Sequence, residues 1–378
     1  MDSDLVSSRG GGGPVVPDYG GANIRGIIPA LLGPTTWSSG LPGWMPGLVA
    51  DADRAVLLVL DGLGWNQFQE RRQLVPTLAS MTGGPIHSVA PTTTATALTS
   101  ITTGLTPSEH GVIGYRMVLG GEVVNMLRWS VGNEGVRRTH PPADVQPYAP
   151  FLGEAVPVCS PAELQGTAFT EAHLRGSDPV GWRAPSTIAV EARAQLDAGQ
   201  RFVYCYYGGI DKIAHERGFG DYYDAELRYA DALVADLLGA LPSGTALLVT
   251  ADHGQVHVGD RVVRPSDDLL ADVTLQSGEG RFRWLHTDDA NVDTLAKAAE
   301  EEVGHLAWVA TKEQMLDERW FGPWMAPPIQ ARLGDVALVA HEPVSFYEPG
   351  DSGPFELVCR HGSLTSDEID VPLLAALA

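Results

Sequence analysis

Three apolar runs, each closing on a glycine- and aspartate-bearing turn, constrain this chain more than any other feature. RAVLLVLDGLG reaches its turn at Asp61, RFVYCYYGGIDKIAH near Gly208, and GTALLVTADHG just after Thr250. Near-continuous apolar runs of this length suit strands covered on both faces, as in a parallel sheet. Helical stretches alternate with them. DAELRYADALVADLLGALPSG sets Leu227, Ala230, Leu233, Val234, Leu237 and Leu238 at helical spacing, with Gly239 and Pro242 to stop it. STIAVEARAQLDAG does the same, with Gly199 as its C-terminal cap. Alternation of strand and helix predicts an α/β fold: a doubly wound, mostly parallel sheet with right-handed crossovers.

The 378 residues suffice for one large domain or two. Residues 1–20, rich in Gly, Pro and Ser, read as a flexible segment. The remainder, 21–378, reads as one folded unit with two insertions. One, near 116–185, is rich in Pro and Trp and is expected to form a cap or substrate-facing loops. The other, near 276–340, reads as strand, helix, strand, a small α+β cap.

Charge narrows the partners. With 25 Lys+Arg against 47 Asp+Glu, the formal charge is −22. Such a surface repels nucleic-acid polymers and anionic membranes. It also suits phosphate substrates poorly, unless bound cations reverse the sign locally. Cys159, Cys205 and Cys359 are too few and too scattered for a disulfide framework or a zinc knuckle. The opening MDSDLVSSRGGGG has neither the basic region nor the apolar core of a signal peptide. No apolar run approaches the ~20 residues of a membrane helix. The expected location is the cytoplasm.

In an open parallel sheet, ligands sit beyond the carboxyl ends of the strands. Asp61 lies there, as do Asp252 and His253. Asp211 follows the second run, with His215 one helical turn later, and His361 follows FELVC. Taken singly, each has an ordinary structural explanation, such as a helix cap or a turn histidine. Together they are three carboxylates and three imidazoles at comparable positions, a ligand set for two Zn²⁺ ions, with Mn²⁺ as the other candidate. Two divalent ions bring +4 against −3 from the aspartates, so the metals rather than lysines would hold a phosphate. SVAPTTTATALTSITTGLTPSEHGVIGY adds hydroxyls. Thr92, Thr93 or Thr94 caps a helix there, or presents a nucleophile where the helix N-terminus favours an incoming phosphate.

At these residues the chain resembles the type I phosphodiesterase/nucleotide pyrophosphatase family of the alkaline phosphatase superfamily. The motifs are VLDGLG, APTTTATALTSITTGLTPSEHGV, GGIDKIAHERG, TADHG and CRHGSLTSDE, which span Asp61 to Glu368. The resemblance implies a three-layer αβα sandwich and a two-zinc site, one ion held by Asp61, Asp252 and His253 and the other by Asp211, His215 and His361. The family nucleophile stands nine residues before the Thr of a Thr-Gly step. Here that step is Thr103-Gly104, which gives Thr94, also a ligand of the first ion, with Thr93 as the fallback. The implied chemistry is hydrolysis of a small phosphodiester or phosphoanhydride through a phosphothreonine.

One position departs from the pattern. Nucleotide phosphodiesterases of the family carry Asn three residues after the nucleophile, and this chain has Ala97. Lys212, Tyr115 and Asn125 are the candidate substitute donors. The alternatives are a phosphomonoesterase or phosphonate hydrolase of the same superfamily, for which Arg116 and Lys212 are the available cations, and a non-catalytic phosphoester-binding relative. A sulfatase needs Arg in its C/S-x-P-x-R turn, and CSPAE at Cys159 has Glu163 there.

Overall fold

The computed structural model describes residues 12–33, 40–351 and 357–378. Seven strands form the central sheet: β1 (Arg54–Leu60), β2 (Thr82–His87), β3 (Pro157–Pro161), β4 (Asp178–Trp182), β5 (Phe202–Tyr207), β6 (Thr245–Thr250) and β7 (Asp370–Leu377). Their order across the sheet is β2-β7-β6-β1-β5-β3-β4. Pairings between β6, β1, β5, β3 and β4 are all parallel, and β7 runs antiparallel to both its neighbours. The three apolar runs are the three central strands, which explains their composition. Every residue of β6, and of β1 beyond Arg54, is buried. A leucine truncated to alanine in such a core costs about 2–5 kcal/mol.

Helices cover the sheet. Those that matter here are α1 (Thr94–Thr103), α2 (Ile188–Asp197), α3 (Gly209–Arg217) and α4 (Asp221–Ala240). The apolar stripe of α4 packs inward, and buried Asp231 on the same helix accepts the backbone N–H groups of Thr77 and Leu78. Gly199 lies just past α2 with φ +96°, a left-handed value that favours glycine.

This topology delivers five loops to one end. β6, β1 and β5 are adjacent and parallel, so the segments after Thr250, Leu60 and Tyr207 emerge together. Antiparallel β7 starts at that same end, with Asp370 opposite His87 of β2. The segment 361–369 leading into β7 and the segment 88–93 leading out of β2 therefore arrive there too.

Two expectations about organisation need correction. Residues 116–185 do not form a single cap. Positions 116–135 make a separate four-stranded meander, but 157–161 and 178–182 are β3 and β4 of the central sheet. β4 escapes a reading for apolar runs because it is the sheet's edge, with only Trp182 buried among its five residues. The expected flexible segment 1–20 lies outside the described residues up to position 11. From 12 onward the chain is anchored: Val15 N–H donates to Leu364 O, and buried Tyr19 donates its hydroxyl to Trp320 O.

The second insertion is a four-stranded antiparallel sheet, in the order Leu275–Glu279, Phe282–His286, Val336–Ala340, Ala307–Thr311, crossed by helix α5 (Val292–Val303). Its strand, helix, strand pattern is the one the sequence predicts. Arg281, in the turn between its first two strands, is fully buried. It is bidentate to Glu368 at 2.7 and 2.8 Å and also donates to the carbonyls of Ala340, Glu342 and Val344. Glu368 in turn accepts the Ser363 N–H and the Thr365 hydroxyl, in the segment that carries His361. The inserted unit is thus fastened to one loop of the common end. Breaking a buried pair from one side strands a charge, which costs more than removing both partners. Arg281→Met should lose about 3–5 kcal/mol of unfolding free energy in urea, and the double variant Arg281→Met/Glu368→Met should lose less.

Candidate metal and phosphoester site

The five converging loops place the six expected ligands in one cluster. Asp61 Oδ1 and Asp252 Oδ2 lie 3.5 and 3.4 Å from His253 Nε2. Asp211 Oδ1 lies 3.2 Å from His215 Nε2 and 3.9 Å from His361 Nε2. The His253 and His361 rings stack with centroids 3.6 Å apart. Asp211, His215 and His361 can each offer one ligand atom within 4.8 Å of the others, and so can Asp61, Asp211 and His253.

Local bonding orients each donor. The Nδ1 atoms of His215, His253 and His361 face the carbonyls of Cys359, Gly254 and Thr92, at 2.6, 3.0 and 2.8 Å. A carbonyl only accepts, so each Nδ1 carries a proton, and Nε2 is the atom each ring can offer to a cation. Asp252 Oδ1 accepts the backbone N–H groups of Gly62 and His253. Asp61 Oδ2 accepts the Tyr206 hydroxyl, and Asp211 Oδ1 accepts Gln255 Nε2 at 2.8 Å. Asp61 Oδ1 and Asp252 Oδ2 are buried without a hydrogen-bond partner. Unpaired carboxylate oxygens beside imidazole lone pairs fit a divalent cation such as Zn²⁺ by donor chemistry.

Electrostatics agree. Burial pushes the Asp61 carboxyl well above the ordinary carboxylate range, and the charges of Asp252 and Asp211 push the same way. Asp252 is raised as well, chiefly by burial. At Asp211 burial acts upward too, but the neighbouring His215, with His361 and His253, outweighs it and holds the carboxyl below its ordinary value. Burial, with His253 and His215 beside it, pulls His361 well below the usual imidazole value. Two buried carboxylates and a partly buried third need a counter-charge, and no Lys or Arg forms an ion pair with Asp61, Asp211 or Asp252 among the described residues.

Thr94 opens α1 on the rim of this cluster, its hydroxyl 3.1 Å from His253 Nε2. Thr93, the N-cap residue, makes no side-chain cap bond, which leaves the first turn's N–H groups available to an anion. Thr92 points elsewhere: its hydroxyl donates to Ser363 O. The expected substrate donors are not gathered in. Asn125 uses its side-chain oxygen to accept the Arg128 N–H within its own turn. Lys212 is exposed, and neither it nor Tyr115 makes a side-chain hydrogen bond or ion pair to the cluster among the described residues. Arg116 is ion-paired with Glu348. Sequence reasoning missed Tyr206 and Gln255. The position of Gln255, directly after Asp-His-Gly, was the available signal for one of them.

A family model described as type I phosphodiesterase/nucleotide pyrophosphatase matches residues 55–364. Among solved structures, murine ectonucleotide pyrophosphatase/phosphodiesterase 5 superimposes with TM-score 0.64 at 14% identity, covering 85% of this chain and 87% of that one. The human counterpart gives 0.64 at 15% identity over the same shares. An inactive threonine-to-alanine form of the murine protein in complex with AMP gives 0.63 at 14%, again over the same shares. At these identities the likeness is one of fold. No curated protein matches the chain. No helix among the described residues is long and apolar enough to cross a membrane.

If the cluster holds cations, zinc at 100 times its dissociation constant should stabilise the metal-stripped protein by about 2.7 kcal/mol per ion, raising the melting temperature in a calorimeter. Asp61→Asn should melt no lower than wild type without metal, because a repulsive charge is gone, and should lose at least half of the zinc-induced rise.

Proposed function

The chain belongs to the type I phosphodiesterase/nucleotide pyrophosphatase family, enzymes that hydrolyse phosphodiester bonds, and from that premise we propose a covalent mechanism on Thr94 at a site for two divalent cations. One observation carries the proposal: the Thr94 hydroxyl stands at a helix N-terminus 3.1 Å from His253 Nε2, beside the unpaired oxygens of Asp61 and Asp252. Asp61, Asp252 and His253, with Thr94, would hold one ion, and Asp211, His215 and His361 the other. Zn²⁺ suits this mixture of oxygen and imidazole donors, and Mn²⁺ is the second candidate. Bound there, divalent cations supply the positive charge that stabilises an alkoxide and the oxygens of an in-line phosphoryl transfer.

The protein's own groups set the geometry. The start of α1 places the Thr94 oxygen 3.1 Å from His253 Nε2, so that both atoms can face the same ion. The open first turn of α1 directs N–H dipoles at a phosphoryl group lying against Thr94. Thr94 Oγ forms its bond to phosphorus as the bond to the leaving oxygen breaks, giving a phosphothreonine. Water then cleaves that ester and frees the hydroxyl.

Charge favours a diester over a monoester. Two divalent ions against three carboxylates leave a surplus of one positive charge, which matches the single negative charge of a diester. A dianionic monoester asks for a further Arg or Lys; Arg116 is ion-paired with Glu348, and Lys212 is exposed and makes no ion pair to the cluster among the described residues. A small phosphodiester fits this charge balance, and a phosphoanhydride is the second substrate class of this reading. The absence of the family's Asn at Ala97 separates this chain from the nucleotide-specific pattern.

Thr94→Ala should lower turnover of bis-p-nitrophenyl phosphate by at least about 10³-fold while zinc content by atomic emission stays near wild type. Thr93→Ala should retain most of the rate. Wild-type kcat/KM should be higher on bis-p-nitrophenyl phosphate than on p-nitrophenyl phosphate, and a chelator should abolish both.

A further inference from the structure

The three carboxylates are not held alike. Asp61 and Asp252 each have one oxygen hydrogen-bonded and the other unpaired. At Asp211 a single oxygen, Oδ1, faces both His215 and His361 and also accepts Gln255 Nε2 at 2.8 Å. It is an aspartate that can join either triad of ligand atoms. Its position therefore sets the relation between the two halves of the site.

We propose that Gln255 is a positioning residue, which fixes the Asp211 carboxylate for its cation and ties that half of the site to the loop bearing Asp252 and His253. Gln255 is fully buried. A carboxylate only accepts hydrogen bonds, so the amide must turn its nitrogen to Asp211. Its Oε1 is then buried without a partner, a desolvation cost that a methionine of similar shape would avoid. The residue is thus accounted for by its donor rather than by its packing.

The surroundings are built to pass this contact. Gly62, directly after Asp61, has φ +77°. A Cβ there would lie 2.6 Å from Gln255 Nε2 and 2.9 Å from both Cα and Cβ of Asp211, so any side chain would wedge the two apart. Gln67 Nε2 donates to the Gln255 carbonyl at 2.7 Å and steadies the loop from behind. Loops from β1, β5 and β6 interlock at this one amide. Groups that orient a metal ligand from behind typically change metal affinity by about 10–100-fold when removed.

The inference rests on the two-cation reading, and one experiment separates their failures. Co²⁺ and Zn²⁺ are titrated into the metal-stripped full chain as wild type, Gln255→Met, Gln255→Asn and Asp211→Asn. The readouts are the Co²⁺ absorption bands and competition with a chromophoric chelator. Gln255→Met removes the donor and keeps the bulk, whereas Gln255→Asn keeps an amide that falls short of Asp211, so a folding defect in one does not decide the result. Both should bind one of two ions about 10–100-fold more weakly, with the other unchanged. That ion should be the one Asp211→Asn loses, and excess metal should restore diester turnover. Two ions bound as in wild type, or both weakened alike, would overturn the role of Gln255 alone. A wild type that binds fewer than two ions would overturn the two-cation reading and this inference with it.

Discussion

Everything at the working end of this molecule follows from two buried carboxylates, Asp61 and Asp252, and a partly buried third, Asp211, that share one patch of the protein. Asp61 and Asp252 sit immediately beyond adjacent parallel strands, and Asp211 opens the helix after a third. Parallel pairing in register brings them together whether or not their charges agree. Burying like charges is unfavourable, and no Lys or Arg forms an ion pair with these carboxylates among the described residues. What the fold offers is three imidazoles with their Nε2 atoms turned inward. That combination is one that bound cations would relieve. It also reconciles a −22 chain with an anionic substrate.

Much of this was legible in the sequence because it follows from strand ends. A both-faces-buried strand must be apolar, so β1, β5 and β6 stand out, and the first polar residues after them lie where a doubly wound sheet binds ligands. Thr94 was narrower. Residue chemistry alone left Thr92, Thr93 and Thr94 equivalent, and the family spacing selected the one whose hydroxyl meets His253. His361 depends on β7 running against its neighbours, a reversal that leaves no mark on local composition.

What escaped has physical reasons. β4 is an edge strand with one buried residue, and β3 begins and ends with proline, so neither presents the run that betrays an inner strand. Tyr206 and Gln255 act through single long-range hydrogen bonds, which have no periodicity. Arg281 and Glu368 look like surface charges until the contacts are known, yet both are fully buried and bind the inserted unit to the segment bearing His361. The insertion is therefore fastened to one of the segments that form the site. Asn125 shows the opposite error: a polar residue in a suggestive stretch that serves only its own turn.

The central claim is that the six side chains surround two cations. Crystals soaked in zinc and measured on either side of the zinc absorption edge test it directly. The account predicts two anomalous peaks, one within bonding distance of Asp61, Asp252 and His253 and one within bonding distance of Asp211, His215 and His361. Anomalous density absent from this cluster, or confined to surface histidines, would contradict it.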